Sequence, residues 1–162
     1  MDIAAPAAPL SLTLEDLSET ERFAVFLGAH LRAGDCLLLE GPVGAGKTSF
    51  ARALIQSLLP HHEDVPSPTF TLVQTYETPN FEIWHCDLYR LTTSEELIEL
   101  GLEEALSDAV CLIEWPERLG ALTPASAQTL AFEPIKGGAA RRVTLRGDAR
   151  WANVAFAERP AP

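Results

Sequence analysis

Two hydrophobic periods alternate along this chain. Leu10, Leu12 and Leu14, separated by Ser11 and Thr13, show the two-residue period of a short strand. Phe23, Phe26, Leu27 and Leu31 then recur at helical spacing, with Ser18 and Glu21 as a capping-box pair in front and Gly34 as the stop. Residues 35–40, DCLLLE, are an apolar run bounded by Gly34 and Gly41, which predicts a strand buried on both faces, as in a parallel sheet. Residues 48–59 return to the helical period, with Phe50, Leu54 and Leu58 on one stripe and Pro60 ending it.

The second half reads in the same way. Residues 61–68 are polar and punctuated by proline, a loop. TFTLVQTY (69–76) and FEIWHC (81–86) have strand composition on either side of the turn-like Thr78-Pro79-Asn80, which predicts a hairpin. LTTSEELIELGLEEAL carries helix-start residues at Thr93 and Ser94 with glutamates in the first turn, and Gly101 divides it into two short helices. AVCLI (109–113) is a second strand of the buried kind. QTLAFEPI and RRVTLRG form a closing antiparallel pair around Lys136-Gly137-Gly138.

Length adds that 162 residues are one domain's worth, enough to bury a sizeable core. Residues 1–9 and 158–162 are rich in Ala and Pro and are expected to be disordered, leaving a single domain over residues 10–157. No apolar run approaches the roughly 20 residues of a membrane-spanning helix. The N-terminus lacks the basic region of a secretion signal, so the expected location is the cytoplasm. Cys36, Cys86 and Cys111 lie far apart at apolar runs, without metal-ligand or disulfide spacing, and read as small core residues. The net charge of −11 argues against a surface that grips nucleic acid directly, because that needs a basic stripe. The acidic helix residues Glu95, Glu96, Glu99, Glu103 and Glu104 fit either a solvated surface or a docking face for a basic partner.

One motif changes the picture most. Gly41, Gly46, Lys47 and Thr48 satisfy G-x-x-x-x-G-K-[ST], set between a predicted strand and a predicted helix. Glycines let the backbone curl so that successive N–H groups face phosphate oxygens, and the helix adds its positive end. Lys47 can reach β- and γ-phosphates, and the Thr48 hydroxyl can ligate Mg²⁺. Such a site also needs an acid at the carboxyl end of a neighbouring strand to hold the metal or its water. Glu114 directly follows AVCLI and Asp87 directly follows FEIWHC, so both qualify, and spacing does not rank them. No N-K-x-D follows, which favours adenine over guanine. Trp115 and Pro116 either shape the pocket rim or merely turn the chain.

In order, GPVGAGKTSFAR, SPTFTLVQTY, HCDLYRL, GLEEAL and IEWPERL resemble the bacterial TsaE (YjeE) family of small P-loop ATPases of tRNA threonylcarbamoyladenosine synthesis. The resemblance runs from about Leu27 to Leu119. It departs from the family's usual Gly-Asp-Leu-Gly at Gly41-Pro42-Val43-Gly44, in positions the motif leaves free. It implies an α/β fold, a mostly parallel P-loop sheet flanked by helices with added antiparallel strands. It also implies ATP and Mg²⁺ as cofactors, and TsaD and TsaB as partners that modify the adenosine next to the anticodon of ANN-decoding tRNAs, with tRNA reached indirectly through them. By resemblance, Gly41, Gly44, Ala45, Gly46 and Lys47 take the phosphates, and Thr48 and Glu114 take the metal. Asp87 assists at the metal or the attacking water, Ser67 and Thr69 belong to a switch-like loop near the γ-phosphate, and Lys47, Asp87 and Glu114 form the catalytic set. Hydrolysis by the chain alone is expected to be slow, since Arg90 and Arg118 are the available finger candidates and neither is compelling. Two other readings remain, a nucleotide-gated binding module with negligible hydrolysis and a small-molecule P-loop kinase.

Overall fold

The apolar run of residues 36–40 sits at the centre of a sheet and is covered on both sides. In the computed structural model, which describes residues 10–147, the elements run β1 (Leu10–Leu14), α1 (Leu17–Gly28), β2 (Cys36–Glu40), α2 (Lys47–Leu58), β3 (Val73–Glu77), β4 (Glu82–Asp87), α3 (Ser94–Glu99), α4 (Leu102–Asp108) and β5 (Val110–Glu114). A 3-10 segment (Pro116–Leu122), β6 (Gln128–Ile135), a 3-10 turn (Lys136–Gly138) and β7 (Ala140–Arg146) follow. The strands form one sheet in the order β1-β7-β6-β2-β5-β4-β3. β6, β2, β5 and β4 are mutually parallel. The edges are antiparallel, β3 on β4 and the pair β7 and β1 beyond β6. The expectations for residues 1–9 and for the chain from 148 onward lie outside the described residues.

Strand alternation explains why β2 must be apolar throughout. Leu37 and Leu39 point into the core shared with Phe23 and Leu27 of α1 and Phe50 and Leu54 of α2. Cys36 and Leu38 point the other way, against Leu97 of α3 and Leu102 of α4. Each fully buried leucine of this kind contributes about 1.5–3 kcal/mol. The three cysteines are buried in the second core, where desolvation raises the Cys111 thiol to about 12 and pushes Cys36 and Cys86 up as well, so they are inert apolar filling. The helical pair divides as expected at Gly101, whose φ of 83° suits glycine, and Thr93 with Glu96 caps α3.

Two boundaries differ from the pattern-based expectation. α1 starts at Leu17, and its cap is Asp16 rather than Ser18: the Asp16 carboxylate accepts from the Glu19 amide at 2.9 Å, while Glu19 reaches back to the Glu15 amide at 2.6 Å. Asp16 has the extended backbone of a cap, whereas Ser18 is already the second helical residue, and the Asp16 carboxylate also answers the positive end of the helix. The strand expected over 69–76 begins only at Val73. Residues before it curl into a turn closed by the Leu72 amide on the Pro68 carbonyl at 2.9 Å, with Leu72 at φ 66°. β composition here meets no ladder, since β4 ends at Asp87, whose amide bonds the Leu72 carbonyl at 2.9 Å.

Candidate functional site

Parallel pairing brings the carboxyl ends of β2, β5 and β4 together, and everything of chemical interest is gathered there. Glu114 lies opposite Leu39 of β2 on one side and opposite Asp87 of β4 on the other. The chain leaving β2 turns at Gly41, where φ is 143° and an added Cβ would stand 2.5 Å from the Phe132 carbonyl oxygen, so a side chain is excluded. α2 then starts at Lys47 behind Gly46, with no side-chain cap and no acidic residue in its first turn. Its opening amides have no intrahelical partner and face a cleft of about 400 Å³.

Lys47 enters this cleft only 5% exposed. Its Nζ donates to the Gly41 carbonyl at 2.5 Å and lies 3.9 Å from the centroid of the Trp115 ring. Burial pushes the ammonium below the ordinary lysine range, and the carboxylates of Glu114, Asp87 and Glu117 pull it back up. Trp115 is itself at φ 57°, a left-handed turn forced immediately after Glu114, and its ring packs on Tyr89 at 4.9 Å between centroids. It therefore turns the chain and lines the cleft at once, so the two readings of that residue are both realised.

The Thr48 hydroxyl donates to Glu114 Oε1 at 3.0 Å, tying the start of α2 to the end of β5. Glu114 is 3% exposed and Asp87 7%. Asp87 Oδ1 accepts from the Tyr89 amide at 3.0 Å, and Oδ2 is 3.5 Å from the Thr69 hydroxyl, which is 2.7 Å from the Ser67 hydroxyl. Gly44, Gly46, Lys47, Thr48, Ser67, Thr69, Asp87 and Glu114 thus line one cleft. Gly41 and Ala45 do not: Gly41 lies beneath, and Ala45 has a fully buried side chain and an amide bonded to the Pro42 carbonyl at 3.1 Å. Among the described residues no group of three or more His, Cys, Asp or Glu could hold a metal ion by itself. A magnesium ion carried on a nucleotide's phosphates requires only a hydroxyl and one or two carboxylates, and Thr48, Glu114 and Asp87 could supply such a set.

Two residues in contact with the groups of this cleft escaped the sequence reading, His85 behind Glu114 and Arg141 on the lining itself. His85 is fully buried, with Nε2 2.8 Å from Glu114 Oε2; its place two residues before Asp87 in a strand, hence on the same face, was the available signal. Arg141 reaches in from β7, its Nη2 donating to the Gly44 carbonyl at 3.2 Å and its Nη1 to the Gly138 carbonyl at 2.6 Å and the Ala140 carbonyl at 3.1 Å. The two arginines singled out from sequence sit elsewhere. Arg90 stacks over Phe70 at 4.6 Å, and Arg118 donates to the Leu91 carbonyl at 3.4 Å.

Known proteins share this arrangement of sequence. The profile of the family described as threonylcarbamoyl adenosine biosynthesis protein TsaE matches residues 14–143, from the end of β1 into β7. This chain belongs to the TsaE family. It is 49% identical to the tRNA threonylcarbamoyladenosine biosynthesis protein TsaE of Rickettsia bellii over 111 residues, which cover 68% of this chain and 77% of the relative. It is 39% identical to the TsaE protein of Haemophilus influenzae over 106 residues, covering 64% and 66%. The crystal structure of Bacillus subtilis YdiB superposes with a TM-score of 0.74 at 26% identity, covering 91% of each chain. The TsaE match bears out the family resemblance and, with the observed sheet, the expected fold. Among the described residues no helix is long and apolar enough to cross a membrane.

Proposed function

We propose that this chain is the ATP-binding and ATP-hydrolysing subunit of a tRNA threonylcarbamoyladenosine system in the cytoplasm, working with TsaD and TsaB and touching tRNA through them. The observation that carries the reading is the junction of α2 with β5. An uncapped helix start, a buried lysine, and a hydroxyl 3.0 Å from a buried carboxylate converge on one cleft, in a chain of the TsaE family. Gly44, Ala45, Gly46 and Lys47 take the phosphates, with Gly41 shaping the loop; Ala45 contributes by giving up its bond to Pro42. Thr48 and Glu114 hold Mg²⁺, and Asp87 orients its water or the attacking water. Bound there by Thr48 and Glu114, magnesium would supply positive charge against the negative charge that develops during phosphoryl transfer.

The residues of the chain divide the work. Lys47 supplies positive charge to the phosphates and is held in line by Gly41 and Trp115. Asp87 fixes the Tyr89 amide with one oxygen and offers the other toward Thr69, so the Ser67 to Thr69 segment is tied to the acid. That tie supports a switch: a γ-phosphate drawing Thr69 away from Asp87 changes the surface presented to partners, and hydrolysis restores it. The test is reconstituted modification of an ANN-decoding tRNA by TsaD and TsaB with and without this chain. Wild type is expected to support turnover and Lys47→Ala to abolish it; equal turnover with either protein contradicts the reading.

A further inference from the structure

Beside Lys47, Asp87 and Glu114 lies a further buried polar side chain, His85. β4 places His85 on the same face as Asp87 and in register with Leu112 of β5, one pleat before Glu114. The imidazole therefore reaches diagonally across to Glu114, with Nε2 2.8 Å from Oε2, while Oε1 accepts from Thr48 at 3.0 Å. Both oxygens of the carboxylate are engaged, one on each side. Both partners are almost wholly out of solvent, His85 at 0% and Glu114 at 3% exposed.

The ring's other nitrogen makes no competing contact. Nδ1 has no hydrogen-bond partner in its buried position. The ring's one polar contact is therefore the one Nε2 makes with the carboxylate. A buried Glu114 without that contact would have one oxygen bare, and it would rotate in search of another partner.

We propose that His85 is a positioning residue: by holding Oε2 of Glu114 it keeps Oε1 at the Thr48 hydroxyl and so sets how strongly the site takes magnesium with a nucleotide. The inference rests on the reading of the cleft as a magnesium-nucleotide site. Groups that orient a metal ligand typically change metal affinity about 10–100-fold when removed, and an effect of that size is expected here.

The test compares His85→Gln with His85→Asn, both polar and both smaller than the ring, so that packing is perturbed similarly. The Gln amide nitrogen can stand where Nε2 stands and still reach Glu114; the Asn amide cannot. Binding of a fluorescent ADP analogue is titrated with Mg²⁺ for wild type and both variants, with affinity in EDTA as the measure of an intact phosphate loop. His85→Asn should keep the wild-type affinity in EDTA but need about 10–100-fold more Mg²⁺ for the tightening that the metal brings, and His85→Gln should return most of that loss. Equal Mg²⁺ midpoints for wild type and His85→Asn would overturn the proposal, as would equal losses in His85→Asn and His85→Gln. A wild-type protein that binds the analogue with no response to Mg²⁺ would instead overturn the magnesium reading of the site, and the role of His85 with it.

Discussion

Lys47 shows how one residue can be committed to a task by its surroundings. A lysine 5% exposed gives up most of its hydration, and it recovers only part of that through one carbonyl and an aromatic face. Its pKa is accordingly lowered from the ordinary 10.5. Bound phosphate favours the protonated form, so the pKa in the complex is higher than in the free protein, and affinity falls as pH rises past the lowered free value. Nucleotide affinity measured from pH 7 upward should therefore begin to drop before the ordinary lysine range; a profile flat through that range would contradict the burial argument. Arg141 works differently, as a clamp on the Gly44 carbonyl. Hydrogen bonds from a charged group are worth about 1.5–3 kcal/mol, so Arg141→Ala should weaken nucleotide binding about 10–100-fold by calorimetry. Lysine at 141 should restore little, because it lacks the fork that spans Gly44, Gly138 and Ala140.

At the scale of elements, periodicity located nearly every helix and strand, and the failures have physical causes. The apolar period of α1 was readable, but which of several capping residues wins depends on the path of the incoming chain, and Asp16 lies in extended backbone at φ −154°. Asp16→Ala should cost about 1 kcal/mol in urea unfolding, while Ser18→Ala should stay within about 0.5 kcal/mol. β composition could not tell the four residues before Val73 from the strand after it, because a strand exists only where a neighbour supplies a ladder. That shortened strand leaves Thr69 free to meet Asp87, so the misread boundary falls on the proposed switch. Left-handed Leu72 and Trp115 sit directly beside the two acids, and nothing in the local sequence marks backbone of that kind at a leucine or a tryptophan.

Over its described residues the molecule is a four-stranded parallel centre with antiparallel edges, and the centre is what makes the site. The glycine loop and the two acids were legible because each lies next to its own strand end. Strand order was not, since pairing is non-local, and Arg141 was missed for that reason: it meets Gly44 across 97 positions only after β6 and β7 have folded back beside β2. His85 was legible in principle from the period of β4, yet its partner on β5 appears only when the register is known. The measurement that tests the central claim most directly is Mg²⁺-dependent ATP hydrolysis by the purified chain, alone and with TsaD and TsaB, beside Glu114→Ala. The account predicts slow turnover alone, stimulation by the pair, and loss of both in the variant. ATP bound with no hydrolysis in either setting, or stimulation that survives in Glu114→Ala, would contradict it.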